Sequence, residues 1–187
     1  MIQQKEILTP QKANSLLKDG QPLKNLIVEG NIVIEIADSY WEKEVVIDNC
    51  IIEYFSGSVT QFKSPVRLIN SHFKNCQFVF TYFLGGLIID NCLFDNFLDF
   101  QAGGHNKPNN PIGITNNNFS DFVNFFDCWY EGEVIISNNN FQKGTNLLGK
   151  PFNIPVTFNI NATIENNIGQ LDFNNEGKKL KKISADK

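Results

Sequence analysis

The chain has 187 residues, 42% of them hydrophobic, which fits one folded domain. Its net charge is −4, and because residues 177–187 carry five Lys against one Asp, residues 1–176 carry −8, a balance that excludes direct binding of duplex nucleic acid through clustered Lys and Arg. The 17 Phe against 4 Tyr and 2 Trp imply a dry interior with stacked rings, and abundant Asn with scarce Ala disfavours long helices.

At the N-terminus no apolar run has the length of a signal-peptide core, and the longest uncharged stretch, 75–89, is broken by Gly85 and Gly86 and too short to span a bilayer. A cytoplasmic, membrane-free protein is expected. Thr9-Pro10 reads as an N-cap followed by Pro at the first helical position, and Gly20 as the stop. Ala13, Leu16 and Leu17 form one apolar stripe, so a short helix over residues 10–19 is expected to cap the domain within an N-terminal unit of residues 1–25.

From residue 26 a signature recurs: apolar-x-apolar-x-Asn-x-x-Phe. It reads Val66-Arg67-Leu68-Ile69-Asn70-Ser71-His72-Phe73, and again from Leu87 to Phe94, Ile112 to Phe119 and Val134 to Phe141. Weaker copies run from Val45 to Ile52 and Ala162 to Gly169, and a first copy from Leu26 to Val33 has Gly30 at the anchor. Anchors at 30, 49, 70, 91, 116, 138 and 166 give a period near 21. One strand per repeat, stacked repeat on repeat, predicts an all-β, single-stranded, right-handed parallel β-helix of about seven coils over residues 26–173.

The columns agree. Residues four and two before the anchor are aliphatic in every copy and point into the coil, and Phe73, Phe94, Phe119 and Phe141 are expected to stack about 4.8 Å apart. The anchor needs left-handed geometry, which Asn and Gly tolerate, and stacked Asn amides are expected to bond between coils. Longer coils place their surplus in loops at 101–111 and within 143–160, which contains Pro151 and Pro155. Leu171 and Phe173 are expected to close the core, leaving residues 174–187 as a basic tail.

The anchor signature resembles the strand-turn repeat of pectate-lyase-type right-handed parallel β-helices. The third coil resembles a pentapeptide-repeat protein: Phe73, Phe78, Phe83 and Ile88 fall five apart, with small Ser71, Cys76, Thr81 and Gly86 two before each. The resemblance covers roughly residues 26–169 and implies architecture rather than activity. The pentapeptide likeness also implies a rod that imitates duplex DNA to engage a DNA-handling enzyme, although the acids here are sparse and unevenly stacked.

Cys50 and Cys92 share a column with Ser71 between them, beyond disulfide reach, and no metal-ligand spacing or cofactor motif is visible, so four small buried thiols are expected. Of the two His, His72 sits at a coil corner and His105 in the long loop, which makes His105 the better binding candidate. The position before the anchor holds Glu29, Asp48, Ile69, Asp90, Thr115, Ser137 and Glu165, all directed outward. Asp48 and Asp90 flank Ile69 at about 9 to 10 Å with Arg67 between them, which is either a carbohydrate-active arrangement of catalytic Asp48, Asp90 and Arg67 or ordinary cross-strand charge pairing. On the same face Ile27, Val46, Ile69, Ile88 and Ile135 form an aliphatic stripe. The expected function is therefore a non-enzymatic scaffold that binds a protein partner, or a second copy of itself, through Val46, Ile69, Ile88, Ile135 and Arg67, with His105 as a further contact. The alternatives are a polysaccharide lyase or hydrolase and a DNA mimic.

Overall fold

The computed structural model describes residues 5–34 and 40–177. Every strand pairing in it is parallel, and the chain winds as a β-solenoid of about six turns with one short helix. One wall is a seven-stranded sheet in which Leu23–Lys24, Val45–Asp48, Val66–Ile69, Leu87–Asp90, Ile112–Thr115, Val134–Ser137 and Thr163–Glu165 lie in chain order. A nine-stranded sheet, running from Glu6–Leu8 to Asn140–Phe141, forms the second wall. The third wall is a row of short pairings, Tyr40 to Gln61, Tyr82, Gly104, Trp129 and Thr157.

Alternation explains the walls. In Val66–Ile69 and Leu87–Asp90 the first and third residues are buried and the second and fourth half-buried, so each strand sends its aliphatics inward. Register then stacks Val45, Val66, Leu87, Ile112 and Val134 in one inward row and Ile47, Leu68, Ile89, Ile114, Ile136 and Ile164 in the next. Each strand ends at an Asn in left-handed geometry, with φ of 53° at Asn49, 50° at Asn70, 52° at Asn91, 58° at Asn116, 57° at Asn138 and 54° at Asn166.

The expected ring stack forms. Phe73, Phe94, Phe119 and Phe141 have centroid spacings of 5.2, 5.1 and 4.9 Å at interplanar angles of 18° or less. A second ladder, Phe78–Phe100–Phe125, runs beside it at 5.4 and 5.1 Å. The helix Pro10–Lys18 has Thr9 as its N-cap, whose Oγ1 accepts from the Lys12 N–H at 3.3 Å, and buries Ala13 and Leu17 against the first strands. At the other end Leu171 packs on the core and Phe173 meets Phe122 edge-on at 5.7 Å. Most of the basic tail, 178–187, lies outside the described residues.

Three sequence expectations are corrected. First, the first anchor is Asn25 (φ 58°), not Gly30: Leu23 and Lys24 pair with Ile47 and Asp48, so Leu26–Val33 belongs to the nine-stranded sheet. The register shifts between Val28 and Asn31, and Gly30 occupies this bulge at φ 106°. Ile27 and Glu29 therefore leave the outward columns assigned to them, and Val33 pairs with Ser56 rather than Ile52. Second, the five-residue step fails at Ile88. Phe73, Phe78 and Phe83 are buried, but Ile88 lies half-buried between inward-facing Leu87 and Ile89.

Third, the anchor amides bond between coils as expected, but in pairs rather than along the whole column. Asn91 Nδ2 donates to Asn70 Oδ1 at 2.9 Å and Asn49 Nδ2 to Asn25 Oδ1 at 2.6 Å, but Asn70 and Asn116 donate instead to Asp48 and Asp90 at 3.2 and 2.8 Å. The continuous ladder is buried one residue later. The Cys92 N–H donates to Asn117 Oδ1 at 2.8 Å, the Asn117 N–H to Asn139 Oδ1 at 2.9 Å and the Asn139 N–H to Asn167 Oδ1 at 3.0 Å.

Two measurements check the core. Phe94→Ala removes the middle of the ring stack and is expected to cost about 3 to 5 kcal/mol in chemical unfolding, against a negligible change for an exposed position. Asn117→Ala leaves the Cys92 N–H unbonded in the interior and is expected to cost about 1 to 3 kcal/mol, with amide exchange at Cys92 accelerated.

Candidate functional site on the outer face of the seven-stranded sheet

The residues of the seven-stranded sheet that alternate with the inward aliphatics form two outward rows. One runs Val46, Arg67, Ile88, Gly113, Ile135, Thr163; the other runs Lys24, Asp48, Ile69, Asp90, Thr115, Ser137, Glu165. The expected binding residues Val46, Ile88, Ile135 and Arg67 thus share the first row, while Ile69 stands in the second. Each row is set by pleating: because Val45 and Ile47 point inward, Val46 and Asp48 point out. Gly113 lies between Ile88 and Ile135, and a Cβ there would meet nothing within 4 Å. The middle of the sheet is consequently flat.

The helix packs on the strands Leu26–Val33 and Leu23–Lys24, at the end of the sheet rather than over this face. The long loop flanks it: Asn109, Asn110 and Pro111 form one wall of a pocket of about 200 Å³ whose opposite wall includes Arg67 and Ile88. Asn110 anchors the loop by donating from Nδ2 to the Leu84 carbonyl at 2.6 Å.

Register places Asp48 and Asp90 on either side of Ile69. Their carboxylates are engaged. Asp90 Oδ1 accepts from Thr115 Oγ1 at 2.6 Å and from Asn116 Nδ2 at 2.8 Å, and Asp48 Oδ1 accepts from Asn70 Nδ2. Arg67 Nε donates to Glu44 Oε1 at 2.7 Å, so its partner lies in the coil before it. Among the described residues no three His, Cys, Asp or Glu converge in a geometry that would hold a metal ion.

His105 is not brought to this face. Gly104 takes the third-wall position at φ 104°, and His105, itself at φ 54°, sits between Tyr82 and Trp129 with centroids 4.2 and 6.0 Å away. Its Nδ1 lies 3.2 Å from Glu131 Oε1, and Lys107 Nζ lies 3.1 Å from Glu131 Oε2. Lys107, and then His105, hold the Glu131 carboxyl below the usual carboxylate range. Glu131 and the flanking aromatics carry no sequence motif; only the close Gly103-Gly104-His105 run signalled an unusual turn.

A second concavity, about 440 Å³, follows the anchor corner, rimmed by Asn49, Asn70, Asn91 and Asn116 and floored by Cys50, Ser71 and Cys92. Lys5 closes one end by donating to Asn49 Oδ1 at 2.6 Å, and His72 Nε2 lies 2.8 Å from Asp95 Oδ2. All four cysteines are free and buried. No known protein family, curated protein or solved structure matches the chain. Its likeness to pectate-lyase-type and pentapeptide-repeat helices accordingly rests on repeat pattern alone, and what the structure establishes is a repeat solenoid with buried Asn and Phe stacks.

Burial pushes the Cys92 thiol from its ordinary 9.0 up to about 12, and Cys128 likewise. A thiol that ionises at 9.0 unfolded but near 12 folded binds more protons in the native state between those values, so stability falls as pH rises through that window. By pH 11 the loss from Cys92 alone is on the order of 2 kcal/mol. Thermal melts between pH 8 and pH 11 are expected to decline less steeply for Cys92→Ser than for the wild type; parallel declines would place that thiol in contact with water.

Proposed function

We propose that this chain is a non-enzymatic binding module, a β-solenoid scaffold that presents the outer face of its seven-stranded sheet to a protein partner. One observation carries the reading. Val46, Ile69, Ile88 and Ile135 stand outward on the sheet, interleaved with Asp48, Arg67 and Asp90, and the helix packs elsewhere. An apolar centre with a charged margin is the make-up of a protein interface. The flat ground at Gly113 gives a partner close approach to the backbone. The engagement of Arg67 with Glu44, and of Asp90 with Thr115 and Asn116, favours structural charge pairing over a catalytic pair on the same face.

Two variants test the proposal. Ile69→Lys with Ile88→Lys changes only outward side chains, and Gly113→Lys adds a side chain into open space. Both are expected to melt within about 1 kcal/mol of the wild type. A partner captured by the wild type from its native host, then purified, is expected to bind the variants at least about tenfold more weakly, since charge at an interface centre is costly. Equal binding by all three would remove the sheet from the function. Turnover of a polysaccharide panel by the wild type and not by Asp90→Asn would replace the scaffold reading with the carbohydrate-active one.

A further inference from the structure

Where the nine-stranded wall turns into the third wall, successive coils place Val59, Phe80, Ala102 and Asp127 at one corner, all in left-handed geometry at φ of 58°, 54°, 52° and 57°. This is the conformation that side chains on L-residues resist, and most of all β-branched and bulky ones. Elsewhere among the described residues the chain fills such positions mainly with Asn, at 25, 49, 70, 91, 116, 138, 153 and 166, or with Gly. At this corner it uses a valine and a phenylalanine, and they gain no burial in return: Val59 is 70% and Phe80 53% exposed. The ridge continues along the axis, because Phe126 meets Phe152 edge-on at 5.7 Å, and Phe152 is 76% and nearby Leu148 50% exposed. Neither turn preference nor core packing accounts for these residues in a single molecule.

We propose that this ridge is a dimerisation surface, and that its occupant is the same ridge of a second copy of the chain. Two quantities favour a copy. The exposed parts of Val59, Phe80, Leu148 and Phe152 uncover on the order of 400 Å² of apolar surface, taking aromatic side chains as about 150 to 250 Å². A standard interface buries about 800 Å² per partner, a little over half of it apolar, so one ridge supplies nearly the whole apolar share. The second quantity is charge. Residues 1–176 carry −8, so most faces of one copy repel the same face of another. The corner residues from 57 to 60, 79 to 81 and 101 to 103 include no Asp, Glu, Lys or Arg, and Asp127 is the one charged residue in the corner column. A two-fold axis across the ridge sets the same patch of both copies face to face and closes after two copies. The ridge lies at the corner between the other two walls, so such a pair directs its two seven-stranded sheets away from each other and leaves both open. The dimer is therefore independent of that sheet's role, and where the sheet binds a partner the dimer binds two.

The test uses the left-handed geometry. Val59→Asn with Phe80→Asn installs the residue that this chain prefers at such turns. The double variant is expected to sediment as a monomer at concentrations where the wild type sediments as a dimer, with self-association weakened at least about tenfold. Its melting midpoint, measured where both are monomeric, is expected to be equal or higher, because the turns are relieved of strain. Ala102→Arg, which leaves Val59 and Phe80 in place, is expected to dissociate the dimer in the same way. A wild type that stays monomeric at every concentration overturns the proposal, and so does a dimer that survives both variants. A lowered midpoint in the double variant would show that Val59 and Phe80 pack within the monomer, and would also overturn it. Co-sedimentation of the wild type, but not the variants, with phosphatidylcholine vesicles would assign the ridge to a lipid surface instead.

Discussion

A coil that turns inward past each anchor carries a backbone N–H into the apolar interior, and that donor has to be bonded. The whole stack depends on how this is done. The residue after each anchor accepts, through its side chain, the N–H of the equivalent residue in the coil before it. The Cys50 N–H goes to Ser71 Oγ at 3.0 Å, the Ser71 N–H to Cys92 Sγ at 3.5 Å, and from Cys92 onward the acceptors are the amides of Asn117, Asn139 and Asn167. The Asn117 and Asn139 amides are also satisfied on the donor side: Asn117 Nδ2 reaches the Ile89 carbonyl at 2.9 Å and Asn139 Nδ2 the Ile114 carbonyl at 2.8 Å. A buried polar column of this kind stabilises only if every member is paired. It therefore fixes coil spacing and register together, and a slip of one residue would leave several donors unbonded at once.

Fixed register explains where the chain tolerates extra length. The step from Asn91 to Asn116 is four residues longer than that from Asn70 to Asn91, and the step from Asn138 to Asn166 is longer still. The surplus stays out of the strands: Phe94 and Phe119 remain 5.1 Å apart across the first insertion, and Ile135 to Ser137 keep their register with Thr163 to Glu165 across the second. It is expelled into the loops that carry Asn106 to Pro111 and Lys150 to Pro155. The first of these is itself tied to the stack, because Asn106, fully buried, donates to the carbonyls of Asn110 and Glu133 at 3.0 and 3.1 Å. An insertion in this fold becomes a shaped projection on an unchanged rod.

The readable parts of the sequence were those in which one residue type has one physical job. An Asn recurring at a left-handed turn and a Phe recurring three residues later specify geometry directly, and both columns are legible in the sequence. The helix at Pro10–Lys18 was legible for the same reason, through Thr9, Pro10 and Gly20. The misread parts are those where two positions compete for one role. Gly30 and Asn25 both satisfy left-handed geometry, and only the pairing of Leu23 with Ile47 distinguishes the turn from the bulge. Asn116-Asn117 and Asn138-Asn139 each offer two amides. The repeat pattern favours the exposed one for the ladder, whereas the buried one has more to lose from an unpaired bond. His105 was placed in a loop but not between Tyr82 and Trp129, because the turn that sends it outward depends on Gly104 meeting the Trp129 carbonyl, a contact about a whole coil away in sequence.

The same division separates what holds this protein together from what it can use. Inward rows are constrained by neighbours above and below: every residue of the Phe73 to Phe141 stack touches another ring, so a change in one coil is felt in the next. Outward rows answer only to the pleat. Arg67, Ile69 and Ile88 share strands with buried partners yet face solvent, and their identities are not dictated by Leu68, Leu87 or Ile89 beneath them. A stack this tightly registered also has little conformational entropy left to lose when something docks on it. Its outer walls are surfaces on which charge and shape can vary without altering the frame that presents them, and that is why the case for function rests on the residues that contribute least to the fold.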